Sequence, residues 1–580
     1  MKKKIFCFIA IAFILYSCSK SFLETTPQGT LTEQAVSNPK TVDGLIIAAY
    51  AWLPHEATIN QKLSSWLADI KSDDSYKGGG GLGDQAPWYQ WEVFTLVTPD
   101  VGNNDGMWYG SYQGISRCNL ALNALNNLTE DEYPLQKERI AEMRFIRGVY
   151  YVELKKWYKW VPYFDENVPS DSINSISNHK DGAINDLYIW QNILDDFKAA
   201  AQVLPAQQAD VGRPTKYAAE AFASQCLMWM AYEQNDKNAV VNINKSTLTE
   251  ALNMLDDIIN SGKFSLTPDF GANFLAYNDN NLPGNIWEWQ YSHSDGTPNG
   301  NLNGGTPLNA PWWPPHFNCC DFHKPSYTLV NAFKVSSDGL PLFDTYNNEE
   351  IVNKNAYFNS STWDPRIGHT VAIPGLPWKY QTDLLFDSVG SRAPSNYAYF
   401  NSLKENVQST SSTLIDLFWM WNSKNVCPIR YDQILLWKAE CLIQLGQHSA
   451  ALPIINEIRK RASNSTGKLV FANGVPTLNY QIELYQDGVN CNWTPDFALK
   501  ALQWEDRLEF AMEGQRWFDI VRWGIAKEVM NSYFAKEVKR QGPDTWIFDG
   551  KFTSGRDEFM PIPQPQVHLA GPVYKQNPGY

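Results

Sequence analysis

Three glutamates near the C-terminal end of the chain have the residue type and spacing that acid–base catalysis can use. Glu505, Glu509 and Glu513 follow one another at intervals of four residues in the stretch WEDRLEFAMEGQRWFDIVRWG. Side chains four residues apart lie on one face of a helix, and two such carboxylates can reach the separation of about 5 to 10 Å that flanks the scissile bond in a glycoside hydrolase. Any helix with this spacing meets the requirement, so the pattern alone does not indicate an enzyme.

The same glutamates also have a structural explanation. Like charges stacked on one face of a helix repel each other unless cations pair with them. The stretch offers three cations, Arg507, Arg516 and Arg522, and Gly514 is placed to end a first helix before a second begins near Trp517. We therefore expect these charges to form a partly buried salt network that clamps two helices together.

Two other motifs could carry chemistry. GGGGLG, at 78–83, satisfies the G-x-G-x-x-G pattern, but DDSYK precedes it in place of a strand and no helix is expected after it, so we predict no dinucleotide site. In HFNCCDFH, the side chains of His316, Cys319, Cys320 and His323 could in principle ligate zinc. Adjacent cysteines do not easily point at one metal, so a vicinal disulfide or two free thiols are favoured over a metal site. No cofactor is expected.

Helical patterns occupy two parts of the chain, mainly 40–263 and 429–530. Apolar residues recur at intervals of three and four in four segments of the first part, 136–156, 187–203, 214–232 and 248–259. Short loops between helices of this length indicate antiparallel hairpins. The segment 439–458 has the small and large positions of a tetratricopeptide-like pair, with Gly446 between its two helices.

The intervening segment, 264–428, is loop-rich. It contains stretches such as SDGTPNGNLNGGTPLNAPWWPPHF and only short strand candidates such as 286–291. A second irregular stretch covers 72–105. Long loops in a compact protein usually carry function or are disordered, and aromatic residues this dense argue against disorder. The 23 Trp residues exceed what packing requires, which favours a surface function.

The first residues, MKKKIFCFIAIAFILYSC, predict an export signal. Three lysines precede an apolar run at 5–16, and Ser17 is a small residue directly before Cys18. The run falls short of the roughly 18 to 20 residues that span a bilayer, so we expect cleavage rather than a membrane-spanning anchor. LYSC resembles a bacterial lipobox, in which the cut precedes the cysteine and lipid is attached to its sulfur. We therefore expect a signal peptide at 1–17 and a lipid on Cys18.

The net charge and the lack of linkers limit the possible partners and the domain organisation of the mature chain. Removing 1–17 takes away three lysines and no acidic residue, so the net charge of −14 becomes −17. This balance argues against a nucleic-acid partner. No Pro-rich or Gly/Ser-rich linker divides the sequence, and we expect 18–580 to form a single unit.

RLEFAMEGQRWFDIVRWG resembles the signature of the SusD/RagB family of lipid-anchored, glycan-binding proteins of outer-membrane nutrient uptake systems. Further segments resemble the family in the same order: SFLETTPQGTLTE, RFIRGVYYVELKKWYKWVPYF, GRPTKYAAEAFASQCLMWMA, WDPRIG, IRYDQILLWKAECLIQLGQ and FMPIPQPQVHLAGPVYKQNPGY. The resemblance covers essentially the whole mature chain. It implies a mainly α fold with four tetratricopeptide-like helix pairs as scaffold, a loop-rich half with short strands, an extended tail at 531–580 and no catalytic activity.

A glycan site requires exposed aromatic rings beside amides or carboxylates, because ring faces stack on sugars while polar groups bond their hydroxyls. The resemblance implies that binding aromatics come from two loops. The first loop offers Asp73, Asp74, Trp88, Tyr89 and Trp91, and the second offers Tyr291, Asn301, Asn303, Trp312 and Trp313. The alternative for each tryptophan is packing of its loop onto the helices. Trp108, Trp157 and Trp517 lie in helical patterns and are assigned to the core.

The expected function is capture of an oligosaccharide or polysaccharide and its transfer to a partner, a SusC-like TonB-dependent transporter. The resemblance implies lipid anchoring at the outer membrane, facing the cell exterior. One departure is the segment SKSFLE, which has only Glu24 where surface lipoproteins of this kind often carry an acidic run. A peptide-binding lipoprotein and, in another class, a secreted glycosidase that uses Glu505 and Glu509 are the alternatives.

Overall fold

The computed structural model describes residues 38–53, 65–169, 171–180, 185–298, 300–304, 306–349, 351, 355–415, 420–542, 545–547 and 549–580. The predicted signal peptide and Cys18 lie outside these residues. Helices account for 46% of the residues and strands for 11%, so the predicted mainly α fold class is confirmed.

The helices have the following bounds: α1 Pro39–Trp52, α2 Ser65–Asp69, α3 Ala86–Val93, α4 Asn104–Asn126, α5 Gln136–Tyr158, α6 Leu187–Val203, α7 Lys216–Ala231, α8 Lys245–Asn260, α9 Tyr327–Ala332, α10 Asn355–Ser360, α11 Arg366–Thr370, α12 Pro394–Tyr397, α13 Tyr431–Gln444, α14 His448–Ser463, α15 Pro495–Phe510, α16 Arg516–Arg522, α17 Ala526–Gln541 and α18 Gln564–Ala570. Single 3₁₀ turns occur at Ile173–Ser175, Phe270–Phe274, Ala276–Asn278, Thr306–Asn309, Ser388–Gly390 and Gly571–Val573.

The strands are short: β1 Ser75–Gly78, β2 Tyr232–Gln234, β3 Val240–Ile243, β4 Asn285–Trp289, β5 Trp312–Trp313, β6 Phe317–Asn318, β7 Phe322–Pro325, β8 Lys334–Val335, β9 Thr362–Trp363, β10 Val371–Ala372, β11 Pro377–Trp378, β12 Gln381–Leu385, β13 Asn401–Ser402, β14 Val426–Arg430 and β15 Asn479–Tyr480. The antiparallel pairs are β1–β7, β2–β3, β4–β14, β5–β6, β10–β13 and β11–β12. In the remaining sheet, β9 pairs with β8 antiparallel and with β15 parallel.

Eight long helices form the scaffold. Each packs against its neighbour in the series α4, α5, α6, α7, α8, α13, α14 and α15. Taken two at a time, these helices give the four expected pairs. The apolar stripes predicted α5 to α8, and Gly446 connects α13 to α14 with a φ of +82°, a left-handed conformation that glycine adopts without strain.

Local chemistry explains where several scaffold helices begin and how closely they pack. The side chain of Thr215 accepts a hydrogen bond from the N–H of Ala218 at the start of α7, and Asn244 caps α8 in the same way. Between α4 and α5, a methyl group on Gly114 would overlap the ring of Tyr150, so glycine permits this approach. Among the described residues, no helix combines the length and apolar character needed to cross a membrane.

The loop-rich half lies between α8 and α13 in the chain and is joined to the scaffold by the β4–β14 pair. β14 leads directly into α13, and the N–H of Tyr431 donates to the carbonyl oxygen of Gly284 at 2.7 Å. Buried apolar side chains form one continuous cluster that includes Ile146 of the scaffold and Trp378 of the loop-rich half. The two halves therefore share a core.

Two local expectations are wrong. The irregular stretch 72–105 contains β1 before the glycine run and α3 after it, because pairing with β7, far away in sequence, makes the strand. The run is still no dinucleotide loop, since its strand belongs to a two-stranded antiparallel sheet and the N–H of Gly80 is bonded to the Asp84 carboxylate at 2.8 Å. Within 531–580, expected to be extended, α17 continues to Gln541 and α18 is helical.

Most described tryptophan side chains lie in the core. Trp108, Trp157 and Trp517 are each at most 2% exposed, as predicted. The interpretation that the tryptophans exceed what packing requires is wrong, because the many short loops have little regular structure and are held by buried aromatic rings. Trp378, for example, packs against Trp313, Phe317 and Phe386.

Candidate ligand-binding site

The glutamate motif forms a buried salt network. Glu505 and Glu509 are completely buried. Arg366 lies between them, with nitrogen–oxygen distances of 2.8 Å to Glu505 and 3.3 Å to Glu509, and it also pairs with Asp364 at 2.7 Å. Arg459 binds Glu505, and Arg461 binds Glu509. The predicted salt network is therefore confirmed, and these two carboxylates are sealed from any substrate.

The predicted partners within the motif are wrong. Arg507 and Arg516 bind Asp73, Arg507 also binds Asp74, and Arg522 binds Glu440. Residues two apart on a helix do not face each other, so Arg507 points away from the glutamates on either side of it. α15 ends at Phe510 rather than at Gly514, and Glu513 lies beyond it, bonded to Lys404 and Arg430.

The first predicted binding loop is largely inside the protein. Asp73 and Asp74 are at most 3% exposed and are held by the arginines just described, and Trp88 and Trp91 are at most 1% exposed. Tyr89 is half-buried, and its hydroxyl donates to the carbonyl oxygen of Trp546 at 3.0 Å. The ring faces of Trp88 and Trp91 are covered by protein, so in this conformation they present no stacking surface.

The second predicted loop reaches two different places. Tyr291 and Asn303 lie in the wall of a cleft between the scaffold and the loop-rich half. Asn301, half-buried, exchanges backbone hydrogen bonds with Ser292, and its side chain donates to the carbonyl oxygen of Gln290 at 3.1 Å. The buried Asn303 pairs through its backbone with Asn422. As ligand-binding residues, the members of both loops remain predictions.

Trp312 and Trp313 alternate in exposure because they are consecutive in a strand, whose side chains point to opposite faces. Trp313 is 7% exposed and packs edge-on against Phe386, with ring centroids 5.4 Å apart. Trp312 is 47% exposed, and among the described tryptophan side chains it is the only exposed one. Its indole ring is therefore open to a ligand.

Polar groups surround this indole ring. The Arg392 guanidinium lies 5.8 Å from the Trp312 ring centroid and pairs with Asp84 at 3.0 Å, and both of these charged side chains are about one-third exposed. The same guanidinium donates to the carbonyl oxygen of Cys320 at 3.0 Å. The 3₁₀ turn Ser388–Gly390, which carries the exposed Val389, packs on β5. We name Trp312, Arg392, Asp84 and Val389 the Trp312 surface.

Sequence reasoning missed Arg392 and Asp84. Arg392 lies in no motif, and Asp84 follows the glycine run but is about 300 residues from Arg392, so only the folded chain brings both to Trp312. The backbone of Arg392 is held by the buried Asp321, whose carboxylate accepts from the N–H of Arg392 at 2.7 Å and pairs with Lys324 at 2.7 Å. The polar edge of this surface is therefore fixed in place.

The cysteine–histidine motif does not assemble as a metal site. Cys319 and Cys320 form a disulfide, one of the two favoured alternatives. The ring of His316 packs near Trp313, whereas His323 is completely buried, with its nitrogens 3.0 Å from Asp69 and 2.9 Å from Glu405. Among the described residues, no group of three or more His, Cys, Asp or Glu side chains is placed to hold a metal ion.

His323 should make stability depend on pH. Burial alone would lower its pKa, but the carboxylates of Glu405 and Asp69 outweigh burial and raise the pKa to about 9. A raised pKa stabilises the fold fully below the unfolded value of about 6.5, and the stabilisation is lost as the pH rises through about 9. We expect the advantage of the wild type over His323→Gln in free energy of unfolding to shrink by about 3 kcal/mol between pH 6 and pH 10. Urea denaturation across this range measures it, and a constant difference would contradict a charged His323.

The fold and sequence have known relatives. A family model described as the SusD family matches residues 283–580, just over half of the chain. A second model, described as starch-binding and associating with the outer membrane, matches residues 21–228. The SusD-like protein P2 of Formosa agariphila is 23% identical to this chain over 609 residues, and the alignment covers 100% of both proteins.

Two solved structures show the same fold. Surface glycan-binding protein A from Bacteroides thetaiotaomicron superimposes with a TM-score of 0.67 at 20% identity, over 93% of this chain and 99% of that chain. The structure of the protein of that name in complex with laminarihexaose has a TM-score of 0.63, with the same identity and the same coverage. At this low identity, the superposition shows a shared fold but does not show that this chain binds the same ligand.

Proposed function

Because the chain belongs to the SusD family, we propose that it is a lipid-anchored surface protein that binds a neutral oligosaccharide or polysaccharide and delivers it to a SusC-like TonB-dependent transporter. The observation that carries the proposal is the exposed indole of Trp312 beside Arg392 and Asp84. An indole face stacks on the apolar face of a sugar ring, while the guanidinium and carboxylate bond its hydroxyls.

The shape and charge of this surface favour a neutral polymer. A polysaccharide continues on both sides of the bound rings, so an open surface suits it better than an enclosed pocket. Arg392 is neutralised by Asp84, and the whole chain carries a net charge of −14, which disfavours polyanionic glycans. The relative in complex with laminarihexaose, a neutral glucan fragment, supports the same ligand class.

Anchoring, location and partner belong to the proposal as well. Cys18 follows a signal-like segment and would carry the lipid, and the second matching family model is described as associating with the outer membrane. We propose that the protein faces the cell exterior, that 18–580 acts as one unit, and that it binds without turnover. The complete burial of Glu505 and Glu509 supports the last point, since the carboxylates with the spacing of a glycosidase pair cannot reach a glycan.

A panel of neutral polysaccharides tests this proposal. The purified, lipid-free mature protein is run on native gels cast with single polysaccharides, including laminarin and starch, and released reducing ends are assayed after prolonged incubation with each. We expect retardation by at least one polysaccharide and no new reducing ends. Release of sugar would contradict a binding role, and no retardation by any polysaccharide would overturn polysaccharide capture in favour of short oligosaccharides or peptides as cargo.

A further inference from the structure

A second recess, separate in its lining from the Trp312 surface, lies where the scaffold meets the loop-rich half. This cleft encloses about 1420 Å³ of space not filled by protein atoms, open solvent included. One wall comes from the β4–β14 pair and the residues that follow β4, and the other from α5, α7 and the α15–α16 connection. Seven aromatic side chains line it: Trp157, Phe222, Phe274, Trp289, Tyr291, Phe510 and Phe518.

Several charged groups in the wall already have partners within the protein. Lys156 pairs with Glu153 at 2.8 Å, and Glu513 accepts from Lys404 at 2.7 Å and from Arg430 at 2.9 Å. Another wall carboxylate, Glu288, accepts from the side chain of Asn425 and from the N–H of Asn280. An ionic ligand would therefore compete with these internal partners.

Several neutral polar groups of the wall lack internal partners. Among the described residues, no hydrogen bond reaches the carbonyl oxygen of the Gln225 side chain, either polar atom of the Asn273 side chain, or the indole N–H of Trp289. Gln225 and Trp289 are each 6% exposed. Buried polar groups in native proteins are nearly always bonded, so these unpartnered side chains indicate a missing partner.

The unpartnered atoms include both acceptors and donors. A carboxylate or phosphate can only accept, and an ammonium group can only donate, whereas a hydroxyl does both. Together with the aromatic lining, this combination matches a small neutral molecule with several hydroxyls.

We propose that this cleft is a second binding site, which takes a neutral mono- or disaccharide unit. Gln225 and Asn273 bond its hydroxyls, and aromatic rings of the wall pack against its apolar face. The ligand class rests on the proposed glycan-binding function, but the site is independent of the Trp312 surface. Long chains bind at that surface, and short sugars, or the free end of a chain, enter the cleft.

The test uses two variants that should not harm the empty protein. Asn273→Leu and Gln225→Met replace unpartnered amides with apolar side chains of similar size, so their melting temperatures should equal or exceed that of the wild type. Each is combined with Trp312→Ala, which removes the surface site. Affinity is measured by calorimetry with glucose, maltose, cellobiose, lactose and laminaribiose. Asn260→Leu, at the exposed C-terminal end of α8, is the matched control.

We expect at least one of these sugars to bind the Trp312→Ala protein and the Asn260→Leu control with equal affinity. Binding should weaken at least tenfold in Asn273→Leu and in Gln225→Met. The proposed site would be overturned if none of the five sugars bound the Trp312→Ala protein. It would also be overturned if the two cleft variants bound the sugar as tightly as the Trp312→Ala protein does. Retention of the wild type by polysaccharide gels is a separate readout, so loss of this inference leaves the proposed function standing.

Discussion

Trp312→Ala is expected to weaken polysaccharide binding by at least about 30-fold, because truncating a central aromatic anchor costs about 2 kcal/mol or more. The indole ring is 47% exposed and makes the only open tryptophan face among the described residues. Its removal leaves no cavity, so the melting temperature should stay unchanged. The measurement is retardation on gels cast with a graded series of the polysaccharide that the panel identifies.

Tyr277→Ala is the matched control for this variant. Tyr277 is also an aromatic residue of the loop-rich half and is 68% exposed, but it lies outside the Trp312 surface. We expect it to retain full binding. Trp313→Ala should not be combined with Trp312→Ala in this test, because Trp313 is buried against Phe386 and its loss would destabilise the loop. Equal retardation of the wild type and Trp312→Ala would show that capture occurs elsewhere.

Arg366→Met is expected to lower the free energy of unfolding by about 3–5 kcal/mol, because removing one partner of a buried ion pair leaves the other charge uncompensated. Arg366 is completely buried and contacts three carboxylates, those of Asp364, Glu505 and Glu509. Methionine occupies a similar volume but supplies no charge. Urea denaturation at pH 7 measures the loss.

The control for this prediction is a surface ion pair. Lys500 binds Asp344 at 2.7 Å, but their side chains are 43% and 80% exposed. Lys500→Met should therefore cost no more than about 1 kcal/mol. If Arg366→Met also cost less than about 1 kcal/mol, the buried network would not be the clamp between the WDPRIG segment, α14 and α15.

The scaffold could be predicted from the sequence because its information is local. Apolar residues spaced three and four apart identified α5 to α8, and a glycine between small and large positions identified the α13–α14 turn. The existence of a salt network could be predicted, since glutamates stacked on one helix face need cations as partners. Its partners were not, because Arg366, Arg459 and Arg461 come from other segments that only the tertiary fold brings to α15.

The candidate site was predictable only in part for the same reason. The loop that contains Trp312 was identified from its composition, but composition could not distinguish an exposed tryptophan from a buried one. Trp88 and Trp91 lie in an equally polar segment and are buried, because β1 pairs with β7 and draws that segment into the core. Asp84 lies in the first predicted loop and Arg392 in none, and neither could be placed beside Trp312 from the sequence, since each gains its place from contacts distant along the chain.

The most direct test of glycan capture at the Trp312 surface is a crystal structure of the mature protein grown with an oligosaccharide of the polysaccharide that retards the protein on native gels. A sugar ring stacked on the indole of Trp312, with hydroxyls within hydrogen-bonding distance of Arg392 or Asp84, is the predicted result. A glycan bound elsewhere, with the Trp312 ring uncovered, would contradict it.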